Sequence, residues 1–178
     1  SSENWKRPQP ELEFLMHLLE QYMIEERASI MEQDISVRVI GRRDGIPATT
    51  LCEMDKTVEL TAQATGMRLC LAINYGARRE LLDAVWKIAI DVRDGRLDPD
   101  AMTEDTFSNY LYTRDMVDPD LMIRTAGEMR VSNFLLWQIS YAELWVTERC
   151  WPEFSTDDLH QAIREFAARD RRFGGLNH

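Results

Sequence analysis

Between Pro8 and Asp34 apolar side chains return at intervals of three and four: Leu12, Leu15, Met16, Leu19, Tyr22 and Met23. That period predicts one long amphipathic helix, entered beside Pro8 and Pro10. Ile35–Ser36–Val37–Arg38–Val39 then alternates and is β-branched, which predicts a strand. A turn region from Gly41 to Pro47 leads to a second helix, with Leu51, Met54, Val58 and Ala62 on one face and Gly66 as its stop. Met67 to Ile73 predicts a second strand, ending at Asn74–Tyr75–Gly76. A third helix, Arg78 to Asp94, carries the stripe Leu81, Leu82, Val85, Trp86 and Ala89 before Gly95.

Farther on, Thr103 followed by Glu104 and Asp105 has the form of an N-cap with an acidic first turn. Leu121–Met122–Ile123 predicts a short buried strand, Ser132 or Asn133 to Tyr141 a helix, and Leu144–Trp145–Val146 another strand. Ser155 caps a last helix with Asp157 and Asp158 in its first turn. Strands alternate with helices throughout. The expected fold is therefore α/β, a single domain over residues 1–178 with a mostly parallel central sheet flanked by helices. Ligands of such sheets bind beyond the carboxyl ends of the strands. Here those ends carry Gly41–Arg42–Arg43, Asn74–Tyr75–Gly76 and Arg124–Thr125–Ala126–Gly127.

Charge narrows the functions that fit. Against 31 acidic residues stand 21 basic ones, a net −10 that argues against a nucleic-acid groove. An anionic ligand needs a local basic pocket to overcome that field. Three widely spaced cysteines, Cys52, Cys70 and Cys150, suit a reducing cytoplasm and are expected to pack in the core. No run approaches the roughly 20 apolar residues of a membrane span. The chain opens on Ser1–Ser2–Glu3 without Met or a targeting pattern, so further residues are expected before it.

One stretch concentrates the chemistry. Arg124 follows a buried strand, Ala126–Gly127 allows a tight turn, and Arg130 and Ser132 stand at the expected entrance of a helix. Two guanidiniums, a hydroxyl and helix N–H groups suit a phosphate or diphosphate. Glu128 between them can orient the arginines or help hold a divalent cation. The structural alternative is an Arg124–Glu128 ion pair and a Ser132 that only caps a helix. Glu143, read as the end of an apolar helix, needs either a basic partner or a metal such as Mg²⁺. Asn4, Trp5 and Arg7 offer a polar contact, an apolar face and an anion contact, against the alternative of a frayed tail. Phe14, Met16, Tyr22 and Met23 suit a core or the wall of a hydrocarbon cavity. His17, His160 and His178 show no metal-ligand spacing.

The motifs SSENW-x-RP from Ser1, NYG-x-R-x-EL from Asn74 and IRT-x-GE-x-R-x-SNFLLWQ-x-x-YAEL from Ile123 resemble the cis-prenyltransferases, most of all the bacterial undecaprenyl diphosphate synthases. WPEF at 151–154 and RRFGG at 171–175 fit the same pattern. The resemblance implies a Mg²⁺-dependent transferase that condenses isopentenyl diphosphate onto an allylic diphosphate such as farnesyl diphosphate. It implies that Arg124, Arg130 and Ser132 grip the isopentenyl diphosphate, with Glu128 and Val131 in the same substrate-binding stretch. Glu143 then corresponds to the Mg²⁺ contact and Asn4 to the acceptor of the proton lost from isopentenyl diphosphate. Ser1, Ser2, Glu3, Asn4 and Trp5 then form a mobile substrate-binding loop, and Trp5 and Arg7 match substrate-contacting positions. Arg172 and Gly174 imply a tail that reaches a partner subunit's site, and so a homodimer, with peripheral membrane contact for product release. The family's Asp-Gly-Asn-Gly-Arg-type loop, with its Mg²⁺-binding Asp, has no match here. Residues 1–178 alone are accordingly expected to expose core and to be inactive. Ala126 stands where the family commonly has Gly, a small change in size. A non-catalytic partner subunit of a heteromeric prenyltransferase is the alternative reading.

Overall fold

The alternation of strands and helices produces parallel pairing, but in two separate ladders. The computed structural model describes residues 1–171, in two units, Ser1–Arg114 and a second beginning at Asp115. Among the described residues each unit holds one two-stranded parallel sheet.

The first unit opens with a 3₁₀ turn, Ser2–Lys6. There follow α1 (Gln9–Glu25), α2 (Arg27–Glu32), β1 (Ser36–Ile40), α3 (Ala48–Leu60), β2 (Arg68–Ala72), α4 (Ala77–Arg93) and α5 (Glu104–Ser108). β1 and β2 pair from Ser36↔Arg68 to Ile40↔Ala72. The single helix expected from Pro8 to Asp34 is divided at Glu26. Beyond the break Arg27 reaches α3, bonding Thr57 Oγ1 at 3.0 Å and the Glu53 carboxylate at 2.5 Å.

The buried face of α3 is rotated from the expected one. Thr50, Met54 and Thr57 are buried, whereas Ala62 is exposed. Threonine tolerates burial here because its hydroxyl bonds the backbone one turn back. Thr57 donates to Glu53 O at 2.9 Å and Thr61 to Thr57 O at 2.8 Å. Thr61 Oγ1 also accepts the Val37 N–H at 3.0 Å, fastening the end of the helix to β1. Gly66 does not stop this helix, which ends at Leu60. It lies instead against Asp34, whose carbonyl oxygen a Cβ would meet at 2.4 Å.

The expected stripe of α4 also faces the other way. Ala77, Glu80 and Ala84 are buried, and Leu82, Val85 and Trp86 are exposed. Glu80 is 1% exposed and satisfied twice, by the Tyr75 hydroxyl at 2.5 Å and the Tyr112 N–H at 2.7 Å. Those bonds let a carboxylate occupy a buried position outside the expected apolar stripe.

The second unit contains β3 (Leu121–Arg124), β4 (Glu143–Val146) and α6 (Thr156–Ala167). Its strands pair from Leu121↔Glu143 to Arg124↔Val146. No helix forms between Ser132 and Tyr141; the segment is a series of turns. Ser132, Asn133 and Leu135 have φ of +48°, +59° and +46°, which interrupts the repeated bonding a helix requires. Ser155 caps α6 as expected, in a reciprocal arrangement with Asp158. Trp145 is buried, donates to Glu165 at 2.7 Å and meets the Phe154 ring edge-on at 6.4 Å. The cysteines depart from expectation: Cys52 and Cys150 are exposed and only Cys70 is partly buried. No described helix is long and apolar enough to cross a membrane.

Candidate functional site

At the carboxyl end of β3 the backbone turns through two left-handed residues, Ala126 at φ +62° and Gly127 at φ +65°. The turn is held by the chain that leaves β4. Thr147 N donates to Arg124 O at 2.9 Å, Ala126 N to Arg149 O at 2.8 Å and Gly127 N to Thr147 O at 2.8 Å. This brings Glu128 back beside Arg124. The Arg124 guanidinium donates to Glu128 Oε2 and the Arg130 guanidinium to Glu128 Oε1. The ion pair expected as the structural alternative is therefore present. Yet both arginines converge on one carboxylate, each taking a different oxygen. Arg124 retains a buried Nε with no acceptor, an uncompensated donor of a kind that is costly in a protein interior.

Val131 and Ser132 follow directly. Ser132 is exposed, and among the described residues no hydrogen bond joins it to either arginine. Because no helix begins there, the helix N-terminus expected as an anion contact is absent from the site. Glu143 starts β4 instead of ending a helix. Its Oε2 accepts from Arg169 at 2.8 Å. The register places it opposite Leu121, three residues from Arg124, or about 10 Å along the strands.

The first unit gathers the other predicted residues. Ser1 caps the opening 3₁₀ turn through the Glu3 N–H at 3.2 Å, and the Ser1 and Ser2 hydroxyls both donate to Glu3. Ser2 N donates to Tyr75 O at 2.8 Å. The Trp5 indole N–H donates to Asn74 Oδ1, and Asn74 Nδ2 donates to Asp44 O at 3.0 Å. Gly45 lies under the indole, with 3.4 Å from its would-be Cβ to the ring. This segment is docked, not frayed. Arg7 pairs with Glu11 at the surface. Asn4 and Trp5 line a cavity of about 210 Å³ with Leu12, Leu15, Met16 and Leu19 of α1. Amide and indole mark its polar part, and the leucine–methionine stripe forms an apolar wall.

Two residues of these surroundings escaped the sequence reading as site residues. Asn74 was legible only as part of a strand-end motif, although its φ of +49° suits a residue type that tolerates the left-handed region. Glu148, two residues past β4, presses its carboxylate against Gly127, 2.4 Å from a would-be Cβ. An acid following a strand is too common for sequence alone to single it out. Arg172 and Gly174 lie outside the described residues.

A magnesium ion needs several oxygen ligands close together. Among the described residues no three of His, Cys, Asp and Glu cluster as metal ligands. Glu143 is bonded to Arg169 and lies at the opposite end of the strand pair from Arg124. The residues present in one chain do not fit a metal shared between Glu143 and an anion on Arg124.

The chain matches the family model Prenyltransf, described as "Putative undecaprenyl diphosphate synthase", over residues 1–174. It is 54% identical to an isoprenyl transferase of Rhodopirellula baltica, over 99% of this chain and 72% of that protein. It is 47% identical to an isoprenyl transferase of Thermotoga maritima, over 99% of this chain and 75% of that one. Among solved structures, lavandulyl diphosphate synthase from Lavandula x intermedia, in complex with dimethylallyl diphosphate, superposes with a TM-score of 0.94 at 34% identity. That likeness covers 97% of this chain and 75% of the other. A probable undecaprenyl diphosphate synthase from Campylobacter jejuni gives a TM-score of 0.84 at 32% identity, covering 97% and 79%. With an α/β fold of parallel strands and matches along almost its whole length, the chain belongs to the undecaprenyl diphosphate synthase-like prenyltransferase family.

Proposed function

We propose that this protein, at full length, catalyses cis-prenyl chain elongation, adding isopentenyl diphosphate to an allylic diphosphate such as farnesyl diphosphate to give a Z-polyprenyl diphosphate. The undecaprenyl carrier lipid is the proposed product. One observation carries the reading: Arg124 and Arg130 converge on the two oxygens of Glu128 while Arg124 Nε is buried without an acceptor. Two forked cations closing on one small anion are what a diphosphate headgroup needs. The apolar-walled cavity beside Asn4 and Trp5 supports the hydrocarbon half of the substrate.

In the proposed reaction the C1–O bond of the allylic diphosphate breaks and its diphosphate leaves with the electron pair. The terminal alkene carbon of isopentenyl diphosphate bonds to C1. The proton then lost from C2 passes to Asn4, whose amide oxygen is an acceptor. Arg124 and Arg130 hold the diphosphate of isopentenyl diphosphate, and Trp5 excludes water from the cavity wall. Magnesium is proposed from family membership alone, and no step is assigned to it. Homodimerisation, the roles of Ser1, Ser2, Glu3, Arg7, Val131, Ser132 and Glu143, and peripheral membrane contact are part of the same proposal.

The test is incorporation of labelled isopentenyl diphosphate into extractable lipid by the full-length protein with farnesyl diphosphate and Mg²⁺. Product that disappears on chelation is expected, with none from residues 1–178 alone. Absence of product from the full-length protein overturns the proposal in favour of the non-catalytic partner. Turnover that survives chelation overturns the metal.

A further inference from the structure

Most arginines of this acidic chain are matched to carboxylates, from Arg27–Glu53 to Arg169–Glu143. Among the described residues Arg38 and Arg114 form no such pair, and neither does Lys87. All three line one cavity in the first unit, of about 530 Å³, beside the carboxyl half of β1 and the second half of α4. Its volume is that of a small-molecule site.

The remaining polar lining does not neutralise them. Asp91 is the carboxylate of the cavity, and it is already engaged. It accepts from the Tyr110 hydroxyl at 2.6 Å and from Arg96 at 2.8 Å. The Tyr112 ring carries Lys87 Nζ above it, 5.7 Å from the centroid, which fixes that charge at the wall without cancelling it. In a chain of net charge −10, three uncompensated cations around one concavity make a local field opposite to the global one. None of these side chains belongs to the Arg124–Ser132 stretch or to residues 1–7.

We propose that Arg38, Lys87 and Arg114 form a second anion site, for a phosphate-bearing ligand with two or more negative charges. Two guanidiniums supply forked contacts to phosphate oxygens and the ammonium a third, movable one. Such a ligand can be a soluble diphosphate or the headgroup of an anionic lipid.

Binding of inorganic diphosphate is measured by calorimetry on protein already carrying Arg124→Ala and Arg130→Ala, so that the proposed substrate grip is silent. One saturable site is expected to remain and to weaken as salt is raised. Arg114→Gln and Lys87→Gln, both at exposed positions, are each expected to weaken it at least tenfold, with thermal unfolding unchanged. Arg38→Gln is expected to do the same, but it lies in a strand and is read only if the protein still melts cooperatively. A parallel arm measures cosedimentation with phosphatidylglycerol and with phosphatidylcholine vesicles. Phosphatidylglycerol binding that needs Arg114 and Lys87 assigns the phosphate to a lipid headgroup; diphosphate binding alone assigns it to a soluble ligand. If neither probe binds, or if binding ignores these substitutions, the site does not exist.

Discussion

Trp5 donates its indole N–H to the side-chain carbonyl of Asn74 across 69 positions of sequence. The Asn74 amide then donates to Asp44 O at 3.0 Å, so one side chain joins the opening turn to the end of β2 and the loop after β1. If Asn4 acts on substrate, Asn74 sets where it stands. Asn74→Gly removes the side chain without straining the left-handed backbone. It is expected to lower kcat/KM by roughly tenfold to a hundredfold, as misplaced catalytic groups do. Asn74→Asp keeps the acceptor for Trp5 and is expected to recover part of that loss. Steady-state kinetics, with Trp5→Phe as the reference for fluorescence, check both.

The convergence on Glu128 predicts that guanidinium shape matters beyond charge. Arg124→Lys keeps the cation but loses the fork, and is expected to raise KM for isopentenyl diphosphate about tenfold or more. Arg130 is 66% exposed against 29% for Arg124. Arg130→Lys is accordingly expected to have the smaller effect, because solvent screens its contact.

Ala126 sits at φ +62°, where its Cβ is penalised. Ala126→Gly is expected to stabilise the protein by about 0.5–1 kcal/mol, the relief of strain exceeding glycine's added unfolded-state entropy. Denaturant unfolding of the two proteins checks the sign. A loss of stability contradicts the left-handed turn.

Burial, followed by the Asp83 carboxylate that accepts its hydroxyl, pushes the Tyr112 phenol above its ordinary range. An unfolded tyrosine releases its proton near pH 10. The folded phenol holds its proton to higher pH, so its contribution is complete below about pH 10 and is lost as pH rises through the folded value. Tyr112→Phe is expected to remove this component of alkaline destabilisation. Unfolding measured from pH 8 to 12 reads the difference.

Strand and helix positions were largely legible because periodicity reports directly on exposure along a regular element. Ser36–Ile40, Arg68–Ala72 and Leu121–Arg124 lie within a residue of where alternation and β-branching placed them. Faces were harder to read. α3 buries Thr50 and Thr57 because their hydroxyls find backbone acceptors or other partners, and α4 buries Glu80 because Tyr75 and Tyr112 satisfy it. Hydropathy counts such residues as polar, so it cannot see the compensation. The apolar run after Ser132 misled in the opposite direction: composition favours a helix, while three left-handed residues impose turns. At the site, the spacing of Arg124 and Arg130 revealed the cations but not their common carboxylate. Glu143 was placed by motif, and only strand register showed that it lies at the far end of the ladder from Arg124.

Glu128 gives the arginine pair an internal competitor. Any anion that engages both guanidiniums does so by exchange, and its affinity measures the difference between two carboxylate contacts and those it forms. The same side chain is on hand to reclaim the arginines when the anion departs. Under the proposed function, that exchange trades tight retention of a diphosphate for turnover.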